Sequence, residues 1–274
     1  MKTNEKYLRD LASASAILEK KTLTADDKMK LLAIYNPSVH TTGKIKGITS
    51  LDGSAIHCEF CKAMKAAAEK DPTIVCGDCY ISNLDNLYKE MTPRHWLNQR
   101  IMSETLYSVK QLESVYIATK LVRVNSDGDM RNTTQAVNML RLAKAHKQNK
   151  VAIWFKNKPA MKEAIAQEGK PKNVIIIYSA CRLNESPVEI FDECPWVDYV
   201  FTVYADKTSI KAAIESGANE CNGKHCDECG YKCYNGAWKK KTVIAEYLRG
   251  ISKEKRAKKI EAIKARQEKR TSKQ

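Results

Sequence analysis

From about residue 115 to residue 217, short apolar runs alternate with amphipathic stretches, and no other feature constrains the fold of this chain as tightly. Val115–Val124 (VYIATKLVRV), Lys150–Phe155 (KVAIWF), Asn173–Tyr178 (NVIIIY) and Val197–Val203 (VDYVFTV) read as strands. Between and after them, Thr133–His146, Pro159–Gln167, a short turn at Pro187–Phe191 and Lys207–Ser216 read as helical, the last ending at Gly217. Such alternation implies parallel strands joined by right-handed crossovers. Continuous apolar runs fit strands covered on both faces. The expected fold is α/β, either a partial (βα) barrel or an open parallel sheet.

Around this core the chain divides into five segments. Residues 1–56 are an N-terminal helical and loop region, 57–92 hold a first cysteine group, and 93–220 are the βα-repeat core. Residues 221–238 hold a second cysteine group, and 239–274 are a basic helical tail. Within the first segment, residues 4–20 read as a helix and Thr24 as the N-cap of a short one ending near Tyr35, before Asn36-Pro37. Residues 36–56 read as a polar loop, and 93–112 as a helix opening at Pro93.

The ten cysteines are the chemistry-bearing residues. Residues 1–20 are charged throughout and lack the apolar core of a secretory leader, and no stretch approaches a membrane span. A cytoplasmic location with no membrane partner is therefore expected. Thiols there stay reduced, so metal ligation is the ready explanation for so many. The first group is Cys58-Glu-Phe-Cys61 followed, fourteen residues on, by Cys76-Gly-Asp-Cys79-Tyr80. Two such pairs suit a tetrahedral zinc ion or an iron–sulfur cluster. The second group, Cys221, Cys226, Cys229 and Cys233, places four cysteines in thirteen residues. Its stepped spacing is closer to ferredoxin-type 4Fe-4S ligation than to a zinc ribbon. His225 lies inside this loop and reads as a solvated residue beside four sufficient thiolates. Cys181 and Cys194 stand alone and read as small buried apolar residues, the other reading being that one of them joins a cluster.

Loops at the C-terminal ends of parallel strands build the ligand sites of α/β folds. Arg123-Val-Asn125-Ser-Asp127-Gly128-Asp129 falls at that end of the first repeat strand. Asn125, Asp127 and Asp129 suit an amino group, a ribose or a metal, or else an Asp-Gly turn. Lys156-Asn-Lys158, Ser179 and Tyr204-Ala-Asp206 follow the next three strands and complete a polar rim suited to a small-molecule ligand. The net charge of +15 is uneven: residues 235–274 carry 14 Lys/Arg against 4 Asp/Glu, a net of +10. That tail suits contact with nucleic-acid phosphates, though no interleaved aromatics accompany it; the alternative is a solvated surface helix.

The order of these features resembles the phage-encoded gene-product-eighty-eight family of bacteriophages and mobile elements. The likeness spans about residues 36–235. It rests on the polar loop Asn36–Gly53, the group ending at Cys76–Tyr80, the arginine strand ending in Gly-Asp (Arg123–Asp129), and the terminal Cys226–Cys233 cluster. That layout is similar in turn to radical S-adenosylmethionine proteins. It implies a partial βα barrel with a three-cysteine iron–sulfur site near its start. Carried over, Cys76, Cys79 and one of Cys58 or Cys61 would hold that cluster, and Asp127-Gly128-Asp129 the amino group of S-adenosylmethionine. The second cysteine group would hold an auxiliary cluster, and the location would be the host cell cytoplasm. Two readings follow: an iron–sulfur enzyme of radical type, or a non-catalytic zinc or iron–sulfur protein that binds nucleic acid or a host protein through its tail. Four thiolates per site favour the second, since closed sites are structural, whereas the barrel-like repeat and the polar rim favour the first.

Overall fold

The computed structural model describes residues 2–79, 81, 91–221, 225–238 and 241–272. Tyr80, Lys224, Lys239 and Lys240 lie outside these described residues. The chain opens with two helices, α1 (Lys2–Leu18) and α2 (Ala25–Ile34). Thr24 caps α2 with its hydroxyl, which accepts from the Asp27 amide at 3.1 Å, while the Asp27 carboxylate accepts from the Thr24 amide. Such a reciprocal cap stabilises by about 1 kcal/mol.

The stretch 36–56, expected as loop, contains two strands, β1 (Ser38–Val39) and β2 (Thr49–Leu51). Strand β2 is short and mostly polar, so no periodicity betrays it. It is buried nonetheless because its hydroxyls find partners: Thr49 shares a 2.7 Å bond with Thr119, and Ser50 donates to Asp52 at 2.7 Å. Helix α3 (Glu59–Lys70) and a single 3-10 turn at Val75–Asp78 follow. The helix expected over 93–112 is two helices, α4 (Met91–Glu104) and α5 (Val109–Leu112), the second capped by Ser108.

The repeat then runs β3 (Leu121–Val124), α6 (Thr133–Ala145), β4 (Lys150–Phe155), α7 (Lys158–Glu168), β5 (Val174–Ser179), α8 (Pro187–Glu193), β6 (Tyr199–Tyr204) and α9 (Lys207–Glu215). Strand β3 occupies only the second half of the run from Val115. The chain closes with β7 (Asn219–Glu220), α10 (Lys232–Asn235), β8 (Thr242–Tyr247) and α11 (Lys253–Thr271). The tail is therefore not helical throughout. Thr-Val-Ile-Ala-Glu-Tyr has the β-branched make-up of a strand, and flanking lysines disguise it.

The strands form one open sheet in the order β1-β2-β3-β4-β5-β6-β8-β7. Every pairing is parallel except β1 with β2. From β3 to β6 each strand lies beside its predecessor, so crossovers of one hand put their helices on one face. The packing agrees. Val122, Val124, Ile153, Phe155, Ile176, Tyr178 and Val200 meet helix residues such as Leu31, Leu97, Leu140 and Met161 in the main core. The alternate residues Ala152, Trp154, Ile175, Ile177 and Tyr199 turn to the other face. No long helix covers that face among the described residues. Its cover is Ile45, Ile48, Cys226 and Tyr234, from the β1–β2 loop and the second cysteine segment, packed beside Ile244 of β8.

Candidate metal centres

The first cysteine group assembles at the C-terminal rim of the sheet. Cys58 is the N-cap of α3 and fully buried, with its Sγ 3.9 Å from the Asp129 carbonyl. Its thiol is hydrogen-bonded to Cys61, which holds Cys58 below and pushes Cys61 above the ordinary thiol range. Cys76 lies in the 3-10 turn and Cys79 ends it. Burial pushes the Cys76 thiol up to about 12, against the pull of the nearby Lys156 ammonium. Cys61, Cys79, Cys181 and Asp129 all lie within electrostatic reach of Cys76. The two pairs, distant in sequence, thus meet in space. Cys181 joins them: its carbonyl accepts from the Val75 amide at 3.0 Å, and the Tyr178 hydroxyl donates to its Sγ at 3.5 Å. Cys194 lies in the helix-side core.

The acidic loop after β3 sits beside this group. Asn125 takes a left-handed conformation, φ 61°, and donates from Nδ2 to the Trp154 carbonyl at 2.8 Å. Gly128 has φ +73°, and a Cβ there would stand 2.9 Å from the Gly53 backbone, so the loops after β2 and β3 touch main chain to main chain. The Asp129 carboxylate accepts from the amides of Met130, Lys156 and Asn157 at 2.7, 2.8 and 3.3 Å. Burial raises Asp129 to about 6, against the opposing pull of Lys156 and those amides. Lys156 donates to the Ser179 hydroxyl at 2.6 Å and the Ala180 carbonyl at 3.2 Å, which ties the rim from β4 to β5.

The second group assembles on the helix-free face. The Cys221 amide donates to Ala245 of β8, and the Cys226 amide to Lys44, both at 2.7 Å. Cys226 and Cys233 each lie within electrostatic reach of Cys221, Cys229 and the Arg123 guanidinium. Burial pushes Cys226 up to about 11 and Cys233 to about 12. Lys44 hydrogen-bonds the Cys221 thiol, and Arg123, stacked 4.5 Å over Trp154, donates to Tyr234 at 3.2 Å. Arg123 pulls against burial at both Cys226 and Cys233, and Lys44 at Cys226, but burial outweighs them. His225 is exposed and donates from Nδ1 to the Gly43 carbonyl at 3.0 Å.

The donor chemistry of both groups fits a thiophilic metal. Among the described residues no three cysteine sulfurs lie within 4.8 Å of one another. A single zinc ion with sulfur bonds of about 2.3 Å draws its thiolates to about 3.8 Å. Four thiols per group suffice for either metal.

Three residues come together that sequence reasoning passed over in part. Asp52, His95 and Asp127 each bring a ligand atom within 4.8 Å of the others. Only Asp127 drew notice in the sequence. The available signal was a repetition: Asp52-Gly53 and Asp127-Gly128 each follow a strand in adjacent positions of the sheet.

Among the described residues, part of the basic tail is spent on the molecule itself. Lys255 and Lys259 both pair with Asp78, between Cys76 and Cys79, the latter at 2.8 Å. Lys259 also donates to the Pro72 carbonyl at 2.5 Å, and Arg266 to Thr73 at 3.2 Å. Lys258, Lys264 and Lys269 remain outward. No described helix is long and apolar enough to cross a membrane.

No family model, curated protein or solved structure shows a match to this chain.

Proposed function

We propose that the chain is an iron–sulfur protein with two cysteine centres of different purpose. The observation that carries the reading is convergence: Cys58 and Cys61 meet Cys76 and Cys79 from a separate segment beside Lys156, and the four cysteines of the second segment gather beside Arg123. The rim centre, from Cys58, Cys61, Cys76 and Cys79, occupies the end of a parallel sheet where ligands bind and react. A cluster there supplies one-electron chemistry, and Lys156 and Asp129 set its charge environment. The second centre, from Cys221, Cys226, Cys229 and Cys233, stands where other α/β proteins place a layer of helices. Its segment contains one four-residue helix, so a bound cluster supplies the cross-link that a larger core would otherwise provide. Zinc in either group is the alternative metal; the stepped spacing of Cys221, Cys226, Cys229 and Cys233 supports iron–sulfur in the second.

The likeness to radical S-adenosylmethionine proteins adds a catalytic reading of the rim. What supports it is the placement of cysteines after the first parallel strand and of Asp127-Gly128-Asp129 after the next. Nucleic-acid contact through the outward lysines of α11 is a separate reading, with no base-reading feature beside it.

Anaerobic purification with iron, sulfide and zinc analysis tests the proposal. A brown protein with about eight iron atoms is expected if both groups hold 4Fe-4S clusters. A colourless protein with two zinc ions would overturn it. Cys226→Ser with Cys229→Ser should lower the melting temperature sharply, whereas Cys76→Ser with Cys79→Ser should bleach the rim cluster and leave the fold standing. A spectral shift on adding S-adenosylmethionine would support the catalytic reading, and an unchanged spectrum would sink it.

A further inference from the structure

Asp52 immediately follows β2, Asp127 lies in the loop after β3, and His95 sits in the first turns of α4. Their exposures are 4%, 7% and 1%. The His95 Nδ1 atom points at the two carboxylates, 3.3 Å from Asp127 Oδ2, yet has no hydrogen-bond partner. We propose that Asp52, His95 and Asp127 form a binding site for a divalent cation of the manganese or iron(II) class, built from oxygen and imidazole donors and independent of the cysteines.

Three observations carry the site. First, the separation of Nδ1 and Oδ2 matches neighbouring ligands around one ion. An octahedron with bonds of roughly 2.1–2.4 Å has edges of about 3.0–3.4 Å. A purely structural pair would align the imidazole N–H on the carboxylate, and this one does not. Second, Asp52 is preset. Its Oδ1 accepts from Ser50 Oγ at 2.7 Å, Ser126 Oγ at 2.6 Å, the Ser126 amide at 2.8 Å and the Asp127 amide at 3.1 Å. These bonds fix the carboxylate and leave Oδ2 as its remaining ligand atom. Third, the surroundings hold unspent polar atoms. The buried Tyr35 hydroxyl and the His40 Nε2 have no hydrogen-bond partner, and both side chains lie within electrostatic reach of Asp52. Completing ligands such as water have groups to bond.

The donor set selects the ion. Two carboxylates and one imidazole suit manganese, iron(II) or magnesium, whereas thiolates select softer metals. Arg94 adds a specific consequence. Its Nη2 lies 3.2 Å from His95 Nε2, and a guanidinium only donates, so the metal-free ring carries its proton on Nδ1. Cation binding at Nδ1 moves that proton to Nε2 and obliges Arg94 to swing away. Arg94 is only partly buried and its Nε has no partner, so it is the side able to move. Glutamine in its place offers a carbonyl that accepts from Nε2–H, the outer-shell partner that metal-bound histidines use.

Manganese(II) is the probe, because thiolates hold it weakly and its free aqueous ion is read directly by electron paramagnetic resonance. Full-length protein titrated anaerobically should take up one manganese per chain at micromolar concentration. Asp127→Asn and His95→Gln should each weaken uptake at least 100-fold, and Arg94→Gln should tighten it several-fold. Bound manganese should also broaden the ring signals of His95 before those of the other four histidines. That readout uses the unaltered chain and survives any variant that fails to fold. No uptake below 1 mM by folded protein, uptake unchanged in the folded variants, weaker uptake by Arg94→Gln, or broadening of other histidines alone would each overturn the proposal. Because manganese uptake is scored apart from iron and sulfide, loss of one reading leaves the other standing.

Discussion

Gly128 brings two loops to backbone contact, and no other residue fits there. Its φ of +73° already disfavours a side chain, and the Gly53 backbone fills the space a Cβ needs. Gly128→Ala should destabilise by about 2–3 kcal/mol, seen as a fall in melting temperature of roughly 5–10 °C. Gly169→Ala has open space around it, but φ 67° with ψ 170° is a region essentially reserved for glycine, so it should cost about 1–3 kcal/mol from backbone strain alone. A second prediction concerns Asp27. The Lys20 ammonium and the Thr24 cap hold its carboxyl down at about 2, against 3.8 for the free side chain. A lowered acid adds stability above the unfolded value and loses it as pH falls through the folded one. Wild type should therefore exceed Asp27→Asn in melting temperature at pH 5, and the gap should close between about pH 4 and 2. At this scale the grouping of the cysteines within each segment was legible, because spacing along a short stretch is a local property. The Asp52–His95–Asp127 cluster was not. His95 comes from a helix far from both carboxylates in sequence, and no fixed spacing joins residues that only the sheet brings together.

Between elements, the instructive contact is α11 against the loop that carries Cys76 and Cys79. Lys259 is 4% exposed, and its ammonium satisfies both Asp78 and the Pro72 carbonyl. Ile263 packs beside it against Leu183 and Ala205. Lys259→Ala should cost about 2 kcal/mol, the order expected when a buried carboxylate and a carbonyl lose one charged donor. It should also loosen the Cys76–Cys79 turn, which hydrogen exchange at the Gly77 and Cys79 amides would register. Legibility here followed chemistry. Strands β4 and β5 were plain because uninterrupted Val, Ile and aromatic residues have no other use. Strand β2 was hidden because hydroxyls bury cheaply once paired, and β8 because lysines on both sides made the region read as one charged helix. The same charge made the tail look like a surface for nucleic acid, when part of it is a clamp.

For the whole molecule, the sheet separates two environments. Its helix-covered face holds the long aliphatic core, and its other face holds a cysteine segment with little apolar mass of its own. Fold class followed from alternation alone, but which layer covers which face did not, since strands buried on both sides look the same whatever buries them. The order of the last strands has a further consequence, for how the molecule is made. Strand β8 lies between β6 and β7, although β7 precedes it in the chain. At about 5–20 residues per second, a ribosome needs roughly 2–9 seconds to go from Tyr204 to Tyr247. Throughout that interval the edge of β6 is bare, β7 has no neighbour, and the second cysteine segment trails between them. An unpaired parallel edge invites a strand from another nascent chain. The newborn protein is thus exposed to mispairing until β8, made last of the three, slides into a gap left for it.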